Sequence, residues 1–341
     1  VSSENIKETF LNGGLWPMIK QRPIDVVADI NKMPKAIFIS AFDSSPLAID
    51  YDYSLQNDAE NFQKGIDALS KLSSCKIYLT LSSDTPSTSF FNNINGVEIN
   101  KIDGKHPSGN VGTQIHHISP INKGEIVWTV SPQDVAIIGK YFSTGIYNAQ
   151  KIIALTGSEV KKPHYCRVIG SCNLSDIISG NYSKDNDVRI ISGNALTGIA
   201  KKSTGYLGYY HNQITILPEG NNYKFFLTKG WLSPGFGSFS NSRLYPSFLT
   251  PNKKYRLDTN TNGEERAFVV TGEMEKVFPF DILPMHLVKA AITKDIDGME
   301  NLGIYEVAPE DFALCEFVCT SKINIQEIIR EGLDLIAEEC M

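Results

Sequence analysis

The chain has 341 residues, with 32 basic and 38 acidic side chains and a formal net charge of −6. At roughly 100 to 200 residues per domain, this length predicts two or three domains with ample core. No Lys/Arg run is longer than two residues, so the basic footprint of a nucleic-acid binder is missing. No apolar stretch approaches the roughly 20 residues of a membrane-spanning helix. The start VSSENIKETF lacks a basic-then-apolar signal pattern, so we expect a soluble chain able to dock on a membrane. Because it opens at Val1 already inside a helical pattern, we also expect further residues upstream. Six cysteines (Cys75, Cys166, Cys172, Cys315, Cys319, Cys340) are too sparse for a disulfide scaffold and suit a reducing, cytosolic setting.

Ser2 or Ser3 can cap a first helix whose face carries Ile6, Phe10 and Leu11, and the glycines of LNGGLWPMIKQRP (11 to 23) end it. KAIFISAFD (35 to 43) reads as a strand buried on both faces, NDAENFQKGIDALSKL as a helix with Phe62, Ile66, Leu69 and Leu72 inward, and KIYLTLSS (76 to 83) as a second buried strand. This is a βαβ unit. VEINKI (97 to 102) and EIVWTV (125 to 130) follow as strands, then a helix from Ser131-Pro132 to Gly145, and KIIALTG (151 to 157) is expected to close the set. The alternation predicts a Rossmann-like open α/β domain over residues 1–158. YCRVIG, LSDIISG, VRIISG and YLGYYHNQITIL predict a small β-grasp-like α+β domain at 159–217. Residues 218–272 are expected to form a loop-rich β connection in which EGNNYKFF, SPGFGSFSNS and TNTNGEE are too aromatic for disorder, so long packed loops are expected. PFDILPMHLVKAAI, PEDFALCEFVC and NIQEIIREGLDLIAEEC, the last with a capping-box pair Asn324 and Glu327, predict a helical domain at 273–341.

The candidate chemistry is thin. His116 and His117 read as strand neighbours on opposite faces, without a carboxylate or thiol at ligand spacing. His106 lies in the loop GKHPSGNVG, read as an ordinary turn. G-x-G-x-x-G, the phosphate-binding lysine loop and G-x-S-x-G are all absent. Cys315 and Cys319 stand i, i+4 on a helical pattern, with Cys340 a possible neighbour, but two or three thiols do not complete a four-ligand site, so they read as core thiols.

GGLWPMIKQRP, KAIFISAFDSSPLA, HPSGNVGTQIHHISP, VRIISGNALTG and ALCEFVC, in this order along essentially the whole chain, resemble the NqrA family, the A-subunits of the bacterial Na+-translocating NADH:quinone reductases. The resemblance implies a peripheral subunit on the cytoplasmic side of the bacterial inner membrane, in a complex that passes electrons from NADH to ubiquinone and transports Na+. It further implies a lipoyl-like domain of about a hundred residues preceding this sequence. That family is related to the C-subunit of the Rnf complex and to the FMN-binding subunit of respiratory complex I, which combine a Rossmann-like domain, a soluble-ligand-binding β-grasp (SLBB) domain and a helical iron–sulfur domain. Their flavin loop reads G-x-G-G-A-G-F-P. With Pro17 set on its proline, Phe10, Asn12 and Leu15 replace glycines that let the flavin approach the backbone, and Trp16 replaces the phenylalanine. Their run C-x2-C-x2-C-x3-C-P places its last two cysteines on Cys315 and Cys319 and its first two on Pro309 and Phe312, which cannot ligate iron, with Thr320 for the proline. Cys315 and Cys319 thus read as an incomplete iron–sulfur remnant. We expect no cofactor in this chain, with FMN, FAD and iron–sulfur centres in partner subunits and ubiquinone as substrate.

Expected partners are membrane subunits of the complex, above all the one forming the quinone site. The candidate quinone-binding or subunit-contact residues are Trp16, Pro17, Met18, Ile19, Lys20, Arg22 and Pro23: an apolar wall with Lys20, Gln21 and Arg22 as donors. The bland alternative is a loop that packs Trp16 on the sheet and leaves its charges in water. Two other roles stay open, that of a flavin- or NADH-binding subunit for electron input and that of a purely structural assembly module.

Overall fold

A computed structural model describes residues 2–183, 187–221, 227, 232–240 and 245–340. It resolves into two compact units, one of residues 1–151, 268–319 and 323–341, the other of residues 152–267 and 320–322.

The first unit opens with α1 (Ser3–Asn12), capped by the Ser2 hydroxyl, which accepts from the Asn5 N–H. Gly13 follows it and Gly14 takes the left-handed φ of +67° that glycine adopts without strain. Then come β1 (Ile19–Arg22), β2 (Val26–Val27), β3 (Ala36–Ser40), α2 (Tyr51–Ser54), α3 (Ala59–Leu72), β4 (Lys76–Ser82), β5 (Glu98–Ile102), α4 (Val111–Ile118), β6 (Val127–Val130) and α5 (Pro132–Thr144). The strands form one sheet in the order β2-β1-β6-β3-β4-β5. β6, β3, β4 and β5 are parallel, and β1 adds antiparallel to β6 with Arg22 opposite Val127. The near-continuous apolar runs of β3 and β4 are what a sheet covered on both faces demands. α3 and α5 pack together, with Gly65 and Gly139 where they meet: a Cβ on Gly139 would lie 1.7 Å from the Asn61 carbonyl oxygen. Ile115 of α4 packs with Phe38 and Tyr78.

Two readings are corrected here. Residues 19–22 are a strand, not loop, because antiparallel pairing with β6 supplies hydrogen bonds that four mixed polar and apolar residues do not advertise. His116 and His117 lie in helix α4, whose inward Ile115 follows helical and not strand spacing.

In the second sheet β7 (Gln150–Thr156), β8 (His164–Ile169), β9 (Val188–Ser192), β10 (Ile199–Lys201) and β11 (Gln213–Pro218) stand in the order β10-β9-β11-β7-β8. The strand expected to close the first sheet is therefore part of the second, since β7 pairs in parallel with β11 through Ala154 and Gln213. The short helix α6 (Leu174–Ile178), between β8 and β9, buries Leu174 and Ile178 in a core with Ile153, Leu155, Ile214 and Ile216.

Of the loops at 218–272, residues 222–226, 228–231 and 241–244, which include parts of EGNNYKFF and SPGFGSFSNS, lie outside the described residues. The expectation of packed loops is corrected for Leu232, Phe236 and Leu249, which are exposed. Back in the first unit, α7 (Pro284–Ile292), α8 (Ile296–Asn301), α9 (Ala313–Val318) and α10 (Ile325–Cys340) gather around Phe278, Phe312, Cys315, Ile329 and Leu333, and Ile24 joins the same core. At the start of α10 the Asn324 amide donates to the Glu327 carboxylate at 3.2 Å, a side-chain pair in place of the expected reciprocal cap.

Candidate functional site

The stretch after α1 is drawn inward. Gly13 abuts the Tyr141 ring of α5, where a Cβ would meet the ring carbon Cζ at 2.6 Å. Leu15, Trp16, Met18 and Ile19 are buried. The Trp16 indole N–H donates to the Ala28 carbonyl at 2.7 Å, and its ring meets Phe10 and Trp128 edge-on. Gln21 Oε1 accepts from the Asp29 N–H, and Lys20 Nζ pairs with Asp25 at 2.7 Å. Pro17 remains exposed, Lys20 is half-buried and Pro23 is buried. The apolar wall of the candidate set thus faces this chain's own core.

Arg22 is the centre of the arrangement. Its side chain is 1% exposed, its Nη1 donates to Asp311 Oδ2 at 2.9 Å and its Nη2 to Glu310 Oε1. Asp311 Oδ2 also accepts from the Ala308 N–H at 2.8 Å, which fixes the carboxylate against the backbone. Burial alone would lower the Arg22 pKa, but the attraction of Asp311 and Glu310 outweighs it and keeps the guanidinium charged. Burial pushes the Asp311 carboxyl above the ordinary carboxylate value, with Arg22 pulling it back. Gly112, in the first turn of α4, makes the room: a Cβ there would lie 2.5 Å from both Asp311 oxygens and 2.7 Å from Arg22 Nη1. Nearby, the Arg330 guanidinium donates to the Ile24 carbonyl and the Asn110 amide to the Glu310 carbonyl. The structure therefore joins two stretches far apart in the chain, 19–22 and 308–311, through one ion-pair cluster. Sequence reasoning found Arg22 and missed Asp311, Glu310 and Gly112. The available signal was an acidic pair inside an apolar run, PEDF, and a glycine inside a helix.

Neither implied cofactor position fits its group. Cys315 is buried and its thiol is pushed up by burial. Cys319 caps α9 in extended backbone instead of continuing its face, which corrects the helical i, i+4 reading, and Cys340 is exposed at the far end of α10. Phe312 packs on Phe278 where a ligand would be needed.

The carboxyl ends of the parallel strands are where an open α/β sheet presents its ligands, at the point where strand order reverses. Here that point lies between β3 and β6. The loop 104–110 covers the end of β3: the Ser40 hydroxyl donates to the Gly109 carbonyl at 3.0 Å, and the Gly109 N–H donates to Ser44 Oγ, which also meets His106 Nδ1 at 3.1 Å. Burial holds the His106 pKa below its ordinary value, against the pull of Asp43. At the end of β6 the first turn of α5 holds buried Asp134, which accepts from the Ser131 hydroxyl and pairs with Lys151 Nζ at 2.8 Å. A carboxylate already at this helix N-terminus opposes a phosphate there. His116 serves packing: its Nδ1 meets Glu306 at 2.7 Å and its Nε2 accepts from the Asp281 N–H.

A chain described as belonging to an NAD+-reducing [NiFe]-hydrogenase shares this fold, with a TM-score of 0.50, 10% identity, and coverage of 98% of this chain and 61% of that one. Fold and site together define a mixed α/β protein with two mixed sheets and a buried ion-pair cluster centred on Arg22. The profile described as "NqrA second alpha/beta domain" matches residues 1–147, and that described as "NQRA C-terminal domain" matches residues 152–202. The A-subunit of the Na(+)-translocating NADH-quinone reductase from Neisseria meningitidis serogroup B is 37% identical over 99% of this chain and 75% of its own length. The A-subunits from Haemophilus influenzae and Rhodopirellula baltica are 38% and 35% identical, each over 99% of this chain. The chain belongs to the NqrA family, the A-subunits of Na(+)-translocating NADH-quinone reductases.

Proposed function

We propose that the chain works as the A-subunit of a Na+-translocating NADH:quinone reductase, an oxidoreductase complex that oxidises NADH, reduces ubiquinone and transports Na+ out of the cell. The observation that carries this reading is the similarity to subunits of that name over 99% of the chain. In this reading the chain is a peripheral subunit on the cytoplasmic face of the bacterial inner membrane. Among its described residues no helix is long and apolar enough to cross a membrane. Its sheets are taken as a Rossmann-like and a β-grasp domain, followed by a loop-rich connection and a helical region. It carries no redox cofactor of its own, FMN, FAD and iron–sulfur centres belonging to partner subunits. Asp134, the loop 104–110, Pro309 and Phe312 support that assignment.

The contact with quinone or with a membrane subunit is placed on the rim of the candidate stretch. There Trp16, Met18, Ile19, Arg22 and Pro23 form the rigid backing, and Pro17 and Lys20 reach the surface along the β2 edge, where Val26, Val27, Ile30 and Met33 are exposed. Such a rim offers apolar walls beside the Lys20–Asp25 ion pair. A photoreactive quinone added to the assembled complex is expected to label peptides within residues 14–26. Labelling confined to other subunits overturns the quinone assignment. If Val27→Asp then abolishes assembly, the rim holds a neighbouring subunit instead.

A further inference from the structure

Between Gly220 and Leu257 the sequence holds no acidic residue, in a chain whose net charge is −6. The described part of this stretch is built to expose apolar side chains. Phe236 stands between Gly235 and Gly237, both with positive φ (65° and 97°), and is 85% exposed. Gly235 fixes that turn, since a Cβ on it would lie 2.1 Å from the Tyr245 ring, and the Ser238 N–H donates to the Gly235 carbonyl. The Ser240 N–H donates to Ser247 Oγ, whose hydroxyl donates back to the Ser240 carbonyl. The 3-10 turn Pro246–Leu249 that follows leaves Leu249 68% exposed. Lys253 and Lys254 are exposed just beyond it, and Lys253 Nζ sits 5.1 Å from the Tyr255 ring centre. Leu232 adds a further exposed apolar side chain.

We propose that this face of the second unit, Phe236, Leu249, Lys253 and Lys254 with Leu232, rests on an anionic lipid surface. Exposed apolar tips on irregular turns suit the boundary between headgroups and acyl chains, where such tips insert. Lysines without intervening carboxylates match the negative potential of such a surface. The inference goes beyond the quinone-reductase reading, because it concerns a different unit and needs neither quinone nor partner subunits.

Flotation of the purified chain with vesicles of phosphatidylcholine alone, and of phosphatidylcholine mixed with phosphatidylglycerol, tests it. Binding is expected to the mixed vesicles and to weaken with added salt. Lys253→Ala and Lys254→Ala should each lower affinity about fivefold. Phe236→Ser should lower it about tenfold or more, with thermal midpoints unchanged because these side chains are exposed. Equal binding to neutral vesicles, no binding to either, or variants that bind like wild type overturns the proposal. Loss of co-purification with the other subunits without any vesicle binding assigns the face to a protein partner. Each of these negative results leaves the family reading intact.

Discussion

Arg22 shows how a side chain nominated for a ligand becomes a structural post. With both Arg22 and Asp311 buried, removing Arg22 leaves the Asp311 carboxylate without its counter-charge and away from water. Arg22→Ala is expected to cost about 3–5 kcal/mol in denaturant unfolding, while the double variant Arg22→Met with Asp311→Leu should cost clearly less than the two single changes combined. Gly112→Ala forces a Cβ against the same carboxylate and should cost about 1–3 kcal/mol. Sequence reasoning reached Arg22 but not its partners, which lie 288 and 289 residues away. Nothing local encodes such a contact. His106 makes a pH prediction. Its folded pKa is depressed from the ordinary 6.5, so the unfolded chain takes up a proton near that pH which the folded chain refuses until lower pH. Stability is therefore complete above about 6.5 and falls as pH drops below it. The thermal midpoint of wild type should drop more than that of His106→Asn between about pH 7 and about pH 5.

Among the elements, those with strong periodicity were legible. β3, β4, α3, α5 and α10 fall where their apolar spacing places them, and Ser131 with Pro132 starts α5 as expected. β1 was not legible, because Ile19–Arg22 owes its extended form to β6 and not to its own propensity. α4 is not legible either, because Thr113 and the paired histidines carry no helix signal, while its burial on Phe38 overrides propensity. The α3–α5 contact gives the prediction for this scale. Gly139→Ala gains helix propensity of about 1 kcal/mol, yet the Cβ would collide with backbone at Asn61. A net loss of about 1–3 kcal/mol is expected, read as a lower urea midpoint with unchanged m-value.

For the molecule as a whole, the helices after residue 268 are part of the first unit and not an appendage to it. A chain ending at residue 267 loses Asp311 and Glu310 from Arg22 and the helical core from Ile24. Circular dichroism of that truncation should show no cooperative transition for the first unit, whereas a folded transition like that of the full chain would contradict the packing described here. The sequence by itself determined the family and the alternation of strands and helices, because these depend on residue type and local spacing. Only the tertiary structure decided that β7 belongs to the second sheet, that the candidate wall of Trp16, Met18 and Ile19 faces inward, and that Arg22 is held by Asp311. Strand partnership and buried charge pairing are settled by which distant segments share a core, and no short window of sequence carries that information.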